Sequence, residues 1–211
     1  ELNNSRFYAC LWVAILAQTV WCYGVFETEH GYRFGFFQVS SLFFLVMNTI
    51  VALSGLKKPV KNLFIVLIPL TLIAFAIGKM FDSQNTHATH MTAEKISHVL
   101  LCVLAYSLLT IATLQAGILN YQYQKLKSKH PGGILGILPP LQTMEKLMFE
   151  LVWVGFILLS LSIASGLVFI EDVFAQKLAH KTLFSLASWL IYAGILWGRL
   201  RSGWRGITAI R

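Results

Sequence analysis

Charge is what this chain has least of: Asp, Glu, Lys and Arg make up 12% of its 211 residues, about half the share usual in soluble domains. So little charge, beside 56% hydrophobic residues, excludes an ordinary water-soluble globule and points to a protein whose solvent is lipid. Cysteine is scarce as well. Cys10, Cys22 and Cys102 lie in apolar runs with no C-x-x-C and no metal-type spacing, so neither a disulfide framework nor a zinc site is indicated, and they read as small packing residues. Of only five prolines, Pro131, Pro139 and Pro140 crowd into HPGGILGILPPLQ, which cannot be a straight helix and is expected to lie along the membrane surface. There is no glycine-rich phosphate loop, no nucleophile elbow and nothing resembling carboxylates paired as acid and base, so the residues offer no pattern for an enzyme.

Long apolar runs are what the chain does have. Six of them predict helices over about 7–26, 34–56, 62–78, 96–124, 147–170 and 182–198, hence an all-α polytopic transmembrane helix bundle with six spans in a single domain, 1–211. Pro69 falls inside the third run and predicts a kink that neighbouring helices in a membrane can absorb. The first run is too long and too aromatic for a signal-peptide core, and no small-residue cleavage site follows it. The chain starts at Glu1 without a methionine and stops soon after a helix, so it reads as a piece of a longer protein.

The formal net charge of +8 does not point to nucleic acid, because Lys and Arg cluster at the ends of apolar runs. Twelve of the 17 fall on one side of the alternating topology, from Arg6 through Lys57, Lys58 and Lys61 to the tail after Gly198. That side is expected to be cytoplasmic, which puts both ends of this piece inside. His30, His87, His90, His98 and His180 then map to the outer face, and only His130 to the inner.

Two of these histidines carry the sharpest expectation. His98 stands near the start of the fourth run, with Cys102, Tyr106 and Thr110 at four-residue steps behind it, a thin polar stripe that should face protein rather than lipid. His180 precedes the sixth run at the same depth. Two imidazoles approaching from opposite sides can hold haem iron in a dry, apolar slot. The alternative for His98 is a hydrogen bond to a neighbouring helix or interfacial water, and for His180 a solvated place in KLAHK. His87 and His90 form H-x-x-H, a two-ligand pattern that more often is solvated than metal-binding. Glu150 and Lys146 have the spacing of an interfacial ion pair, and Ser160, Ser162, Ser165 and Gly166 permit close helix contact. Trp189, Trp197 and Trp204 offer flat surfaces, the last two more simply as an aromatic belt.

HVLLCVLAYSLLTIATLQA from His98, LPPLQTMEKLMFE from Leu138, GFILLSLSIASGLVF and HKTLFSLASWLIYAGILWGRLRSGWRG from His180, in this order and spacing, resemble the cytochrome c assembly protein family, the multi-pass haem-handling proteins, and within it the small HemX-like or YpjD-like branch. The resemblance is strong over about Ile96 to Gly206 and softer before it. It implies a bacterial inner-membrane protein with haem as cofactor, the lipid bilayer and other cytochrome c assembly proteins as partners, no nucleic acid, and further helices beyond both ends of this piece. By position the family's outer haem ligand falls on His98, with His180 second. Departures are also plain: EDVFAQKLAHK has no tryptophan where haem-presenting members are tryptophan-rich, and Gln18 and Trp197 stand where relatives place histidines. The competing expectation is a non-catalytic accessory that stabilises a membrane complex or influences haem synthesis without binding haem.

Overall fold

The computed structural model describes residues 2–28, 31–32, 35–56, 58, 60–80, 92–128, 138–169, 179–204, 206 and 208. Among them the chain forms six long helices: α1 (Leu2–Phe26), α2 (Phe36–Gly55), α3 (Phe64–Met80), α4 (Ala93–Lys127), α5 (Leu141–Phe169) and α6 (Ala179–Ser202). Five are long and apolar enough to cross a membrane. The sixth, α3, has 17 residues, about 26 Å at 1.5 Å per residue, a little less than a hydrocarbon core of about 30 Å. Extended structure among the described residues is limited to Glu27–Thr28 paired antiparallel with Gly31–Tyr32 after α1. The chain divides into two compact units, Glu1–Thr92 and Ala93–Arg211.

Helix ends depart from the apolar runs in ways the local chemistry explains. α4 begins at Ala93 rather than Ile96, and Glu94 in its first turn and Lys125 and Lys127 in its last suit the helix dipole at both ends. α5 begins at Leu141, six residues before the apolar run, because the Pro140 carbonyl accepts from the Thr143 and Met144 N–H groups and starts the helix there. A proline ahead of a helix loses nothing, since its missing N–H would have been an orphan. α6 begins at Ala179, so His180 lies within its first turn instead of two residues ahead of the helix. It closes on Gly203, whose φ of 61° is left-handed backbone that suits glycine.

In the first unit a polar knot ties three apolar helices. Asn48 of α2 donates through Nδ2 to Gln18 Oε1 of α1 at 3.1 Å and to Thr71 Oγ1 of α3 at 3.2 Å. Thr71 in turn donates to the Leu67 carbonyl at 2.7 Å. In a membrane such bonds substitute for absent water. An open apolar groove of about 620 Å³ runs past the knot, with Cys10, Ala14 and Ala17 of α1 on one wall and Ile68, Leu72 and Ala76 of α3 on the other.

The second unit is built on α4 and α5, which run antiparallel in close contact. Small residues let them approach: a Cβ on Gly155 would stand 2.7 Å from Leu109 Cδ2, and Ala105 and Ala112 are buried beside it. Leu119, Met144, Met148 and Phe149 close the contact at one end, and Ala105, Leu109 and Leu159 toward the other. α6 lies along the pair. Tyr192 and Trp189 pack on it, while Leu183, Phe184, Leu190, Ile191 and Leu200 face outward, the inside-out polarity that a lipid solvent permits. At the end of α6, Arg199 pairs with Glu145 at 3.0 Å, donates to the Trp204 carbonyl at 2.7 Å and lies 4.4 Å over the Phe149 ring.

These contacts set the expected stability changes in reversible micellar unfolding. Gly155→Val forces extra carbon into the α4–α5 contact and is expected to destabilise by about 1–3 kcal/mol, whereas Gly117→Ala, with open space around the site, is expected to be neutral or stabilising by up to about 1 kcal/mol. Arg199→Lys keeps the charge but loses the planar fork and the ring contact, so it should destabilise more than the Glu145 pairing alone accounts for; a double-mutant cycle with Glu145→Gln should return a coupling below about 1 kcal/mol, because both groups are partly exposed.

Candidate functional site

The antiparallel register of α4 and α5 decides what His98 meets. Leu119 lies by Met144 and Leu109 by Gly155, so each step up α4 is matched by a step back along α5. Continued to the start of α4, that register brings His98 and Cys102 against Ser165 and Ser162. His98 Nδ1 is 2.8 Å from Ser165 Oγ, and His98 Nε2 is 3.5 Å from Cys102 Sγ. Cys102 Sγ is 2.8 Å from Ser162 Oγ, and Ser165 donates to the Ser162 carbonyl at 2.8 Å. The ring rests against Gly166: a Cβ there would stand 3.0 Å from His98 Cε1. His98 is therefore half-buried between two helices and held at both nitrogens by neutral groups.

His98, Cys102 and Tyr106 of the α4 stripe face protein, as their chemistry requires. Below Cys102, Tyr106 shares a hydrogen bond of 2.6 Å with Ser185 of α6. About two turns further on, Thr113 and the Tyr192 hydroxyl lie 3.1 Å apart, and Thr113 donates to the Leu109 carbonyl at 2.9 Å. Both cross-helix pairs are separated by 79 residues in sequence, so α4 and α6 run parallel in a steady register. The same offset sets the backbone of His180 at the level of Leu101, within a turn of His98. The His180 side chain lies outside the described residues, as do His30, His87, His90 and His130. Trp189 donates to Ser160 Oγ at 2.8 Å and stacks on Phe156 with centroids 5.4 Å apart, a packing role within the bundle. Trp197 is 68% exposed and Trp204 37%, in keeping with a belt at the membrane surface.

Sequence reasoning missed the partners more than the histidine. Ser162, Ser165 and Gly166 read as a small-residue stripe, and nothing in one sequence says that they pack at the level of residue 98; a signal was present in the clustering of hydroxyl residues near one end of an otherwise apolar helix. Gln115 and Gln122, buried on α4 and donating to the Met144 and Pro139 carbonyls at 3.4 and 3.0 Å, were likewise not singled out. Among the described residues no group of three metal-ligating side chains occurs. What this end of the bundle supplies, among the described residues, is one imidazole with small neutral neighbours, which could make one bond to a metal already held by a larger cofactor.

The sequence has relatives. Inner membrane protein YpjD of Escherichia coli K12 is 28% identical over 182 residues, covering 85% of this chain and 68% of that protein. A protein of Azospirillum brasilense described as an uncharacterized 28.8 kDa protein in a nifR3-like 5' region is 28% identical over 170 residues, 78% of this chain and 63% of its own length. No solved structure matches. The pattern that defines cytochrome C assembly proteins matches residues 5–211, both helical units together. With nearly the whole chain covered, this multi-pass helical protein belongs to the cytochrome C assembly protein family.

Proposed function

We propose that this protein binds haem at the outward rim of its second helical unit and holds it for cytochrome c assembly in the bacterial inner membrane, with His98 as an axial ligand. The observation that carries the reading is the seat of that imidazole: at the outer end of a membrane-spanning helix, held by Ser165 and Cys102 and backed by a glycine. An α4 of 35 residues is about 52 Å long, which exceeds the bilayer core and leaves His98, five residues from its start, near one membrane rim. The predominance of Lys and Arg at the opposite ends of the helices supports reading that rim as the outer one.

The residues present fit the group. A half-buried imidazole beside hydroxyl and thiol partners is neutral donor chemistry of the kind haem iron takes, and among the described residues no carboxylate is a hydrogen-bond partner of the ring. Haem bound here supplies the iron porphyrin that c-type cytochromes carry. The protein's share is placement: α4 and α5 fix the ring, Gly166 leaves room for it, and the apolar helices around keep water away. His180 is the second candidate ligand, supported by the α4–α6 register that sets its backbone at the depth of Leu101. Other cytochrome c assembly proteins would be its partners, alongside the lipid bilayer. The role is binding and positioning, not the making or breaking of bonds.

The visible spectrum of the protein purified in detergent after haem supplementation tests this. The wild type is expected to show a sharp Soret band, His98→Ala to lose it or reduce haem affinity at least about tenfold, and His180→Ala to shift the band to that of a ligand-deficient haem. A colourless wild type would replace the haem reading with that of a non-catalytic accessory of a membrane complex.

A further inference from the structure

The seat of His98 carries more than its position, because hydrogen bonds have direction. Ser165 Oγ stands 2.8 Å from the Ser162 carbonyl oxygen and 2.8 Å from His98 Nδ1. A hydroxyl has one hydrogen and a carbonyl has none. The hydrogen therefore lies in the serine–carbonyl contact, the usual back-bond of a helical serine to the preceding turn, and Ser165 presents a lone pair to the ring. Nδ1 must then be the donor, and a neutral ring protonated there has its lone pair on Nε2.

The contacts of Nε2 agree with that direction. Its neighbour is Cys102 Sγ at 3.5 Å, a weak S–H donor on the same helix face, and the sulfur can accept in turn from Ser162 Oγ at 2.8 Å. Four bonds then run one way round a closed circuit: Ser162 hydroxyl to Cys102 sulfur, Cys102 thiol to Nε2, Nδ1 to Ser165 oxygen, and Ser165 hydroxyl back to the Ser162 carbonyl. Reversing the ring would place two oxygens 2.8 Å apart with no proton between them. The circuit is strong at Nδ1 and weak at Nε2, since a thiol bond at 3.5 Å is readily given up.

We propose that Ser165 is a positioning residue that holds His98 as the Nδ1–H tautomer and so makes Nε2 the atom offered to iron, with the Cys102 thiol as its cap in the unloaded protein. The tautomer rests on geometry alone; only the word iron rests on the haem reading above. A metal-bound histidine characteristically gives its other nitrogen to such an outer partner, and loss of the partner typically weakens metal binding about 10–100-fold. Here the partner comes from α5 while the ligand comes from α4, so the choice of nitrogen depends on the packing of the two helices.

The test reads the tautomer directly, without haem. Full-length protein labelled with nitrogen-15 histidine, in micelles at mildly alkaline pH, gives ring-nitrogen correlation spectra in which His98 is assigned by its loss in His98→Ala. The wild type is expected to show a protonated, pyrrole-type Nδ1 and a pyridine-type Nε2. Ser165→Ala should move the ring toward the Nε2–H form that free imidazole side chains prefer in water, and Ser165→Thr, which keeps the hydroxyl, should restore it. A wild type protonated at Nε2 or at both nitrogens overturns the proposal, as does a pattern unchanged in Ser165→Ala; should that variant not fold, the wild-type and Ser165→Thr spectra still decide. Haem titration of the same samples should show about 10–100-fold weaker binding in Ser165→Ala with rescue by Ser165→Thr. Equal haem affinity in Ser165→Ala overturns the positioning role, whereas no haem binding in the wild type overturns the haem reading and leaves the tautomer result standing.

Discussion

Everything distinctive in the second unit depends on the close antiparallel contact of α4 and α5. In lipid the apolar side chains gain nothing by leaving solvent for one another, so this contact has to come from shape and from hydrogen bonds. Gly155 against Leu109 and the buried alanines supply the shape. The hydrogen bonds sit at the two ends: Gln115 and Gln122 reach carbonyls near the start of α5, and His98 and Cys102 reach hydroxyls near its end. Between them the register cannot slip by a turn without leaving polar groups stranded in hydrocarbon.

Seen this way, the polar residues of this chain fall into a few cross-helix ties, each placed where an apolar rod would otherwise be free to rotate. Asn48 gathers Gln18 and Thr71 in the first unit. Tyr106 with Ser185, Thr113 with Tyr192, and Trp189 with Ser160 seat α6 against the α4–α5 pair. Arg199 ends the series at the basic rim, where a charge can be partly wet, pairing with Glu145 while its plane covers Phe149. The His98 cluster belongs to the same class of tie, with one difference: it holds an imidazole, whose longer contact, at 3.5 Å, is made within α4 to Cys102.

Much of this was legible before any coordinates. Charge poverty and run length are enough to place six helices, because a backbone in hydrocarbon must satisfy itself and has few ways to do so. His98 could be singled out from its place near the start of a long uncharged run and from the four-residue stripe behind it. Helix limits were less legible. α5 starts at Leu141 because of a proline carbonyl that accepts the first helical bonds, and a hydropathy pattern that stops at Glu145 and Lys146 does not register that.

The sequence by itself determined the solvent and the number of helices, and it marked His98 as a polar residue that must face protein, since each follows from composition and period along one chain. Only the tertiary structure decided that Ser162, Ser165 and Gly166 stand opposite His98, and hence which way its hydrogen bonds run. The reason is physical: periodicity tells which face of a helix is polar, but a register between two helices 67 residues apart at their meeting point is chosen by interlocking side chains from both, and no single segment contains that information.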